Sequence, residues 1–357
     1  MMKLKLVATA AAVAGTALLG MPAASAASSG GPGSTAASSG GQTTAFVDVA
    51  VATVWTSPAK PRKNIDAPAL TNPVNMTQWL ANMNTQQRRH LTTRNATQTQ
   101  ALYGRPVYIF AKQGSWDEVA VPGQPTPKNP LGYPGWIPAV QLAASPSYAR
   151  QQQRPFAQVD SAPRVWLYND AHRTQPFMQV SFNTRLPVLR RDPAAHAIEV
   201  ATPAEGPKWL SAADATIYRS ASQIPNPTGA DLVRTAEKFL GVDYIWAGRS
   251  GWMFDCSGLT GAVYEAYGIT IPRDADAQAL DGGATRVATH DQQTTANLQR
   301  GDILFYATDA GTGSIYHDAM YAGNGKMIEA YGAGIPVRLT PVRFGTDYWG
   351  AVRYLKS

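Results

Sequence analysis

Short runs of alternating hydrophobic and polar residues begin at Phe46, a pattern that predicts β-strands. Pro, Gly and Asn residues separate the runs, as expected for turns. The predicted strand segments are FVDVAVATVW (46–55), PVYIF (106–110), WDEVAV (116–121) and GWIPAV (135–140). Several short strands in this arrangement favour a small β-barrel or sandwich.

One segment among these runs has a helical pattern. The apolar residues of MTQWLANMNTQQRRHL (76–91) recur near helical spacing at Met76, Leu80, Met83 and Leu91. Either Asn75 or Thr77 is suited to cap the N-terminus. The sequence therefore predicts a helical insertion in the first group of strands.

A weak internal repeat joins two parts of this region. EVAVPG (118–123) is echoed by EVATPAEG (199–206), and each is followed by turn residues and a tryptophan-containing strand. We therefore expect two related β-modules, at residues 45–145 and 155–220. PNPTG (225–229) indicates the boundary after the second module.

Residues 228–357 follow a different pattern, with helices first and strands afterwards, which indicates an α+β domain. A helix is predicted over Ala230–Leu240, ending at Gly241, with one apolar face: Leu232, Ala236, Phe239 and Leu240. The later strand-like runs are DILFYA (302–307), HDAMYA (317–322), KMIEAY (326–331) and WGAVRYL (349–355).

The first 44 residues carry no globular pattern. Lys3 and Lys5 precede an apolar run over 6–19, and Ala24-Ser25-Ala26 offers small residues for cleavage, which predicts a secretory signal peptide over 1–26. Residues 27–44, rich in Gly, Ser, Ala and Thr, are expected to form a flexible linker. No later stretch has the apolar length of a membrane span. We expect a secreted, extracellular or wall-associated protein.

The net charge of the chain bears on the partners that it could bind. The formal charge is +7, and removal of Lys3 and Lys5 leaves 29 basic and 24 acidic residues, a charge of +5. No basic run interleaved with aromatic residues accompanies it, so nucleic-acid binding is not expected. A mildly positive protein is suited to an anionic surface such as a cell wall.

The chain contains one cysteine, Cys256, within GWMFDCSGLTGAVYEAYG (251–268). A helix starting near it would align Leu259, Val263 and Ala266 or Tyr267, and end at Gly268. Asp255 is suited to cap that helix. Because a helix N-terminus favours an anion, we expect a lowered thiol pKa and a nucleophilic thiolate. A buried structural thiol is the alternative at this point.

A cysteine nucleophile needs a base, normally a histidine. Four of the five histidines lie in the β-modules or a polar loop: His90, His172, His196 and His290. His317 instead begins a strand that leads into Gly323-Asn324-Gly325, a hairpin signal. If those three residues form the loop, Ala319 faces Glu329, which then lies diagonally next to His317. The alternative for Glu329 is a solvated edge-strand side chain.

Three segments resemble a known family. YIWAGRSGWMFDCSGL (244–259), GDILFY (301–306) and HDAMYAGNGKMIEA (317–330) resemble the NlpC/P60 cysteine peptidases, papain-like enzymes that cut bacterial cell-wall peptides. The D-C-S-G box followed by H-x-A-x-Y and a hairpin is a specific combination. The resemblance implies that Cys256 is the nucleophile and His317 the base. Many relatives have a second histidine at the position of Glu329, and some have other polar residues, including glutamate.

The resemblance extends to the subgroup with N-terminal bacterial SH3-like modules, the dipeptidyl-peptidase VI or γ-D-glutamyl-L-diamino acid endopeptidase type. PRKNIDAPAL (61–70), TQALYG (99–104), KWLSAAD (208–214) and RDADAQA (273–279) carry it. It implies a papain-like α+β domain at 228–357, with helices packed on an antiparallel sheet, preceded by two small SH3-like β-barrels. By motif position, Tyr244, Ser257 and Asp274 would bind the free amine of an N-terminal L-alanine. Without the resemblance, a core aromatic residue, a helix-start hydroxyl and a loop cap are the alternatives.

The expected function is hydrolysis of the γ-D-glutamyl–diamino acid bond of peptidoglycan stem peptides by a secreted monomer. Backbone N–H groups at the helix start, assisted by Tyr244, would stabilise the oxyanion. The SH3-like modules would narrow the cleft, so that only short peptide fragments could enter it. No Cys/His cluster or Gly-rich phosphate loop predicts a metal or cofactor. The alternatives are a murein amidase or acyl transferase on the same scaffold, and a catalytically weak wall-binding protein.

Overall fold

The computed structural model describes residues 43–356. The predicted signal peptide (1–26) and most of the predicted linker (27–44) lie outside the described residues. The linker prediction is wrong at its end, because Thr43 and Thr44 belong to the first strand and pair with Ile109 and Tyr108. No helix within residues 43–356 combines the length and apolar character that crossing a bilayer requires.

The N-terminal module is an antiparallel sheet with the strand order β3-β2-β6-β5-β4-β1-β7. Its strands are β1 (Thr43–Val47), β2 (Val51–Trp55), β3 (Thr97–Leu102), β4 (Pro106–Gln113), β5 (Trp116–Val121), β6 (Tyr133–Pro138) and β7 (Leu142–Ala143). The run predicted over 46–55 is two strands, because β1 pairs with β4 whereas β2 pairs with β3.

The predicted helical insertion is present, but it is two helices, α1 (Met76–Ala81) and α2 (Thr85–Thr93). Asn75 caps α1 by accepting a hydrogen bond from the Gln78 N–H. Asn84 then starts α2 and forms a reciprocal capping box with Gln87. A single helix over 76–91 is therefore wrong, since Asn-x-x-Gln at 84–87 is itself a start signal.

Helix α3 (Pro146–Gln151) leads to a second module with the order β10-β9-β13-β12-β11-β8-β14. Its strands are β8 (Phe156–Val159), β9 (Arg164–Tyr168), β10 (Pro176–Ser181), β11 (Arg185–Asp192), β12 (Ala197–Val200), β13 (Lys208–Ser211) and β14 (Ala215–Tyr218). Strand for strand, this is the order of the N-terminal module.

The internal repeat corresponds to the same hairpin in both modules. Glu118 of β5 lies opposite Trp136 of β6, and Glu199 of β12 lies opposite Trp209 of β13. The two echoed glutamates therefore occupy equivalent register positions beside equivalent tryptophans. The two modules therefore share both their strand order and this register position.

The C-terminal region packs helices against a six-stranded antiparallel sheet with the order β18-β23-β19-β20-β21-β22. Its helices are α4 (Gly229–Glu237), α5 (Cys256–Glu265), α6 (Ala275–Leu280) and the short α7 (Thr308–Gly311). Two-residue strands β15 (Asp243–Tyr244), β16 (Arg249–Ser250) and β17 (Met253–Phe254) precede α5. The large sheet comprises β18 (Thr285–Thr289), β19 (Ile303–Ala307), β20 (Ile315–Gly323), β21 (Lys326–Glu329), β22 (Arg338–Pro341) and β23 (Tyr348–Arg353). Short 3-10 turns lie at 67–69, 139–141 and 221–223.

Helix α5 is central rather than amphipathic. Every residue from Cys256 to Tyr264 is buried, because the helix packs against α4, β16 and β20. Leu259 and Val263 lie in the core as predicted. Leu240 does not lie on the buried face of α4: the helix ends at Glu237, and the following turn leaves Leu240 42% exposed.

Both modules make hydrogen bonds to the segment that leads into α5. From the N-terminal module, the Thr97 hydroxyl donates to the Trp246 carbonyl at 3.0 Å, and the Gln100 Oε1 accepts from the Arg249 N–H at 2.9 Å. From the second module, Ser181 Oγ accepts from the Gly251 N–H at 2.9 Å. These contacts fix the chain just before Cys256.

Candidate active site

A cavity of about 600 Å³ lies at the start of α5. The C-terminal region supplies one wall, which contains Cys256 and all three predicted substrate-binding residues, Tyr244, Ser257 and Asp274. The N-terminal module supplies the facing wall, which includes Thr97, Gln98, Lys128 and Tyr133. Cys256 and the three predicted substrate-binding residues, although distant in sequence, therefore line one cavity, and residues of the N-terminal module form its other wall.

Cys256 is the first residue of α5, as predicted, and Asp255 is its cap. Asp255 Oδ1 accepts from the Gly258 N–H at 2.7 Å, and Oδ2 accepts from the Ala247 N–H at 2.8 Å. An extended backbone at the cap position directs the carboxylate back over the first turn. The cap thus anchors the helix start to the preceding loop.

Arg273 completes this arrangement, although sequence reasoning did not identify it. Its guanidinium is almost fully buried and forms two hydrogen bonds with Asp255, of 3.0 and 2.8 Å. Nη1 also donates to Ser257 Oγ at 3.0 Å, and Nε donates to Thr99 Oγ1 of the N-terminal module at 2.8 Å. One side chain therefore links the helix cap, the residue after the cysteine and the facing module.

The thiol is not a preformed thiolate. Burial raises the pKa of Cys256 well above its usual range, and the negative charges of Asp318 and Asp255 raise it further. Backbone N–H groups of Asp318 and Ser257 oppose this shift without overcoming it. The expectation of a lowered pKa is therefore wrong for the free protein, because desolvation exceeds the effect of the helix terminus. The thiol must transfer its proton during the reaction.

His317 and Glu329 are in contact, as predicted. His317 Nε2 lies 2.8 Å from Glu329 Oε2, and both side chains are buried. Met320 pairs with Ile328, which is the register in which Ala319 faces Glu329. The three-residue loop is wrong, however: Gly323 pairs with Lys326 around a two-residue turn, and a bulge at Ala322 restores the register.

Glu329 is held in its ionised form. Its Oε1 accepts hydrogen bonds from Arg338 Nε and Nη2 at 3.0 and 2.7 Å, and Arg343 Nη1 lies 3.5 Å from Oε2. Burial alone would raise the pKa of this carboxyl, but the His317 hydrogen bond and charge, together with Arg338, hold the pKa below its usual range. A buried anion next to an imidazole stabilises the imidazolium form.

Aromatic rings and a bulge orient the imidazole. Its ring centroid lies 5.6 Å from that of Tyr306 and 5.4 Å from that of Tyr331. Tyr316 forms a bulge in the pairing of β20 with β19 and stacks at 6.5 Å. Because Nε2 is engaged with Glu329, Nδ1 is the nitrogen available to exchange a proton with a thiol.

Asp318 is a buried carboxyl that sequence reasoning missed. Its Oδ2 accepts from the Thr260 hydroxyl of α5 at 2.8 Å, whereas Oδ1 has no hydrogen-bond partner among the described residues. Burial raises the pKa of Asp318 to about 6, although His317, Thr260 and the Cys256 thiol lower it. Its charge therefore changes near neutral pH, directly beside the thiol.

Asp274 does not act as an ordinary loop cap. It precedes α6, but its carboxylate makes no capping hydrogen bond to that helix. Instead, both of its oxygens lie 2.8 Å from the Tyr133 hydroxyl, and Oδ2 lies 3.0 Å from Lys128 Nζ. Tyr133 and Lys128 belong to the N-terminal module and were not predicted, since only the fold brings that module to the cavity.

Tyr244 and Ser257 are buried at the cavity wall beside Cys256. Burial raises the pKa of the Tyr244 phenol well above its usual range, and the nearby Cys256 and Asp255 raise it further, so the phenol is neutral and can donate a hydrogen bond. A buried thiol and hydrogen-bond donors line this cavity. His317 and Glu329 are not among its lining residues; His317 lies on β20, against which α5 packs. A thiol, an imidazole oriented by a carboxylate and hydrogen-bond donors are suited to acyl transfer through a covalent intermediate.

Family models match two parts of the chain. The model described as the NlpC/P60 family matches residues 241–353, and the model described as the YKFC SH3b2 domain matches residues 161–218. The first match contains Cys256, His317 and Glu329, and the second contains most of the second module.

Full-length relatives extend the match. A gamma-D-glutamyl-L-lysine dipeptidyl-peptidase of Bacillus cereus is 42% identical over 314 residues, which are 87% of this chain and 91% of the relative. A protein of the same name from Bacillus subtilis is 34% identical over 81% of this chain and 90% of the relative. The crystal structure of an NlpC/P60 family protein from Bacillus cereus aligns with a TM-score of 0.81 at 42% identity, over 88% of this chain and 100% of that one. The chain belongs to the NlpC/P60 family.

Proposed function

We propose that this chain is a cysteine peptidase that hydrolyses the γ-D-glutamyl–diamino acid bond of peptidoglycan stem peptides. The observation that carries the proposal is the shared cavity, in which Cys256 lies beside Tyr244, Ser257 and Asp274. The hydrogen-bonded pair of His317 and Glu329 supplies a base and its orienting anion. Two relatives aligned over most of their length are named gamma-D-glutamyl-L-lysine dipeptidyl-peptidase.

In the acylation step, His317 Nδ1 accepts the thiol proton while Cys256 Sγ attacks the γ-carbonyl carbon of D-glutamate. The carbon–nitrogen bond then breaks, and the imidazolium returns its proton to the departing amine of the diamino acid. Glu329 stabilises the transient imidazolium. This coupled transfer suits a thiol whose pKa is raised by burial.

In the deacylation step, water attacks the thioester carbon and transfers a proton to His317, and the carbon–sulfur bond breaks as sulfur regains the proton. The Gly258 N–H donates to Asp255 and the Ser257 N–H interacts with the Cys256 sulfur, so the Cys256 N–H is the first-turn backbone donor that remains to stabilise the developing oxyanion. The neutral Tyr244 phenol lines the same cavity and can provide a second hydrogen bond.

We infer further that the substrate presents a free N-terminal L-alanine. Asp274 supplies the negative charge opposite an ammonium, and the hydroxyls of Tyr133, Ser257 and Tyr244 lie around the same cavity. The N-terminal module walls the cavity on this side. A long glycan-linked peptide would meet that wall, so the enzyme should cut released fragments rather than intact murein.

Synthetic L-Ala-γ-D-Glu-L-Lys, its meso-diaminopimelate equivalent and their N-acetylated forms test these points. We expect release of L-Ala-D-Glu from both free tripeptides, measured by mass spectrometry, and no cleavage after acetylation. The Cys256→Ala variant should be inactive. Equal cleavage of free and acetylated peptides would contradict free-amine recognition. Release of the stem peptide from murein, without the dipeptide, would instead indicate an amidase.

We also propose export directed by residues 1–26, with two SH3-like barrels in the mature monomer. Lys3, Lys5 and the apolar run over 6–19 support export, and the shared strand order and SH3b match support the barrels. Expression in a bacterial host should give a secreted protein whose N-terminal residue is Ala27. An exported protein that keeps residues 1–26 would contradict this cleavage. Light scattering should give the mass of a monomer, and a dimer mass would contradict the monomer. A crystal structure should show the end strands of each module paired with each other, and an open sheet would contradict the barrels.

A further inference from the structure

The N-terminal module places a second charged group in the substrate cavity. Lys128 Nζ lies 3.0 Å from Asp274 Oδ2, hydrogen-bonds to the Tyr133 hydroxyl and lies 4.4 Å from the centroid of the Tyr133 ring. The Tyr133 hydroxyl itself lies 2.8 Å from both Asp274 oxygens. A carboxylate, a phenol and an aromatic face therefore surround a primary ammonium.

This arrangement is the chemistry that would hold a substrate ammonium. Carboxylates and phenol oxygens accept hydrogen bonds from an ammonium, and an aromatic face attracts it. Asp274 is directed into the cavity rather than to the N-terminus of α6. Lys128 therefore occupies the position in which the proposed recognition of a free N-terminus places the substrate ammonium.

We propose that Lys128 is an internal competitor for the ammonium subsite, so that the N-terminal ammonium of the substrate must displace it from Asp274. The inference rests on the proposed recognition of a free N-terminus and names the residue that tunes it. Lys128 thereby sets a higher KM for free-amine peptides than the Asp274–Tyr133 pair alone would give. The displaced side chain moves into solvent, which its flexible four-carbon stem allows.

The exposure of the Lys128 and Asp274 side chains indicates that displacing Lys128 costs little free energy. The Lys128 side chain is 47% exposed and that of Asp274 is 30% exposed, whereas Tyr133 is almost fully buried. Ion pairs that exposed contribute little, so removing the competitor should lower KM by about two- to fivefold. The ammonium interaction is the same in the bound substrate and in the transition state, so kcat should not change.

The test compares Lys128→Met with wild type on L-Ala-γ-D-Glu-L-Lys. We expect KM to fall by about two- to fivefold, with kcat unchanged. The matched control is Lys112→Met, since Lys112 is 72% exposed and pairs with Asp117 outside the cavity lining. In an Asp274→Asn background, Lys128→Met should no longer change KM, because the carboxylate for which the two ammonium groups compete is absent.

Three outcomes separate this inference from the function on which it rests. An unchanged or raised KM in Lys128→Met overturns the competitor role, provided that wild type still rejects the N-acetylated peptide. Equal cleavage of free and N-acetylated peptides by wild type overturns free-amine recognition and this inference with it. A fall in KM that persists in the Asp274→Asn background also overturns it, since the effect would not pass through Asp274. Thermal unfolding of each variant verifies that it is folded.

Discussion

Arg273 forms a bidentate ion pair with Asp255, with Nη1 3.0 Å from Oδ1 and Nη2 2.8 Å from Oδ2. Asp255 is the residue before Cys256 and caps its helix, so the guanidinium fixes the position of Cys256. The Nε contact with Thr99 extends this support to the N-terminal module. Loss of Arg273 should therefore affect stability and catalysis together.

We expect Arg273→Met to lower the free energy of unfolding by about 3–5 kcal/mol, because it leaves the Asp255 carboxylate buried without its partner. Urea denaturation measures this loss. Arg190→Met is the matched control: Arg190 pairs with Glu199 at 2.7 Å but is 59% exposed, so its loss should be about 1 kcal/mol. Similar losses in the two variants would show that the Arg273 pair is not the anchor of the helix start.

The glycine of the D-C-S-G box has a steric reason. A Cβ at Gly258 would lie 2.0 Å from the Gly248 carbonyl oxygen and 2.7 Å from Asp255 Oδ1. Gly258→Ala should therefore displace the helix start, lower the free energy of unfolding by about 1–3 kcal/mol and abolish most activity. Gly332→Ala, where a Cβ would meet nothing within 4 Å, should leave both measurements nearly unchanged. Full activity in Gly258→Ala would exclude close packing as the reason for this glycine.

Glu329→Gln tests the charge of the group that orients the imidazole. The amide can preserve the hydrogen bond but not the anion, so kcat should fall by about 10²- to 10⁴-fold. An unchanged kcat would mean that Glu329 only fills space. Steady-state kinetics on the free tripeptide gives this result, and circular dichroism verifies the fold.

The free energy of unfolding should also depend on the negative charge of Glu329. His317 and Arg338 hold the pKa of Glu329 below its usual 4.5, so their interactions stabilise the fold above about pH 4.5 and are lost as the pH falls through the lowered pKa. The stability difference between wild type and Glu329→Gln should thus be largest near pH 7 and shrink toward pH 3. A difference independent of pH would contradict ionisation as its cause.

Asp318→Asn tests the carboxyl beside the thiol. With its pKa near 6, Asp318 is ionised at pH 7.5 and opposes the thiolate. The variant should therefore be alkylated by iodoacetamide about tenfold faster at pH 7.5, and the two rates should converge toward pH 5, where Asp318 is protonated. Equal rates at pH 7.5 would remove Asp318 as a cause of the raised thiol pKa.

The Asp318 carboxyl should change the stability of the fold with pH in the direction opposite to that of Glu329. Its pKa is raised from 3.8 to about 6, so the folded state favours the protonated form, and this contribution is lost as the pH rises through that interval. Asp318→Asn should consequently raise the unfolding temperature at pH 7.5, with a gain that shrinks toward pH 4. A gain of equal size at both pH values would contradict the assignment.

Local sequence patterns predicted the structure correctly where the interacting residues are close together in the chain. The helix start at Cys256, its Asp255 cap and the contact between His317 and Glu329 were all predicted from periodicity and strand alternation. The hairpin loop was wrong in length but right in register, because a bulge at Ala322 compensates for the shorter turn. Residues close in sequence obey backbone geometry, which is largely independent of the rest of the fold.

Local sequence patterns did not predict properties that depend on burial or on residues distant in the chain. The thiol pKa is raised rather than lowered because α5 is enclosed on all sides, and only the complete packing determines that desolvation. Arg273 and Asp318 carry no local signal of their roles.

Backbone periodicity and short-range register were enough to predict the repeated module, the helix that begins at Cys256 and the contact between His317 and Glu329. The roles of nucleophile and base came from the resemblance to the NlpC/P60 family. The electrostatics of the thiol and the composition of the cavity depend instead on packing between residues far apart in the chain. The N-terminal module brings Tyr133 and Lys128 to Asp274 across more than a hundred residues of chain, a contact that the packing of separate parts creates.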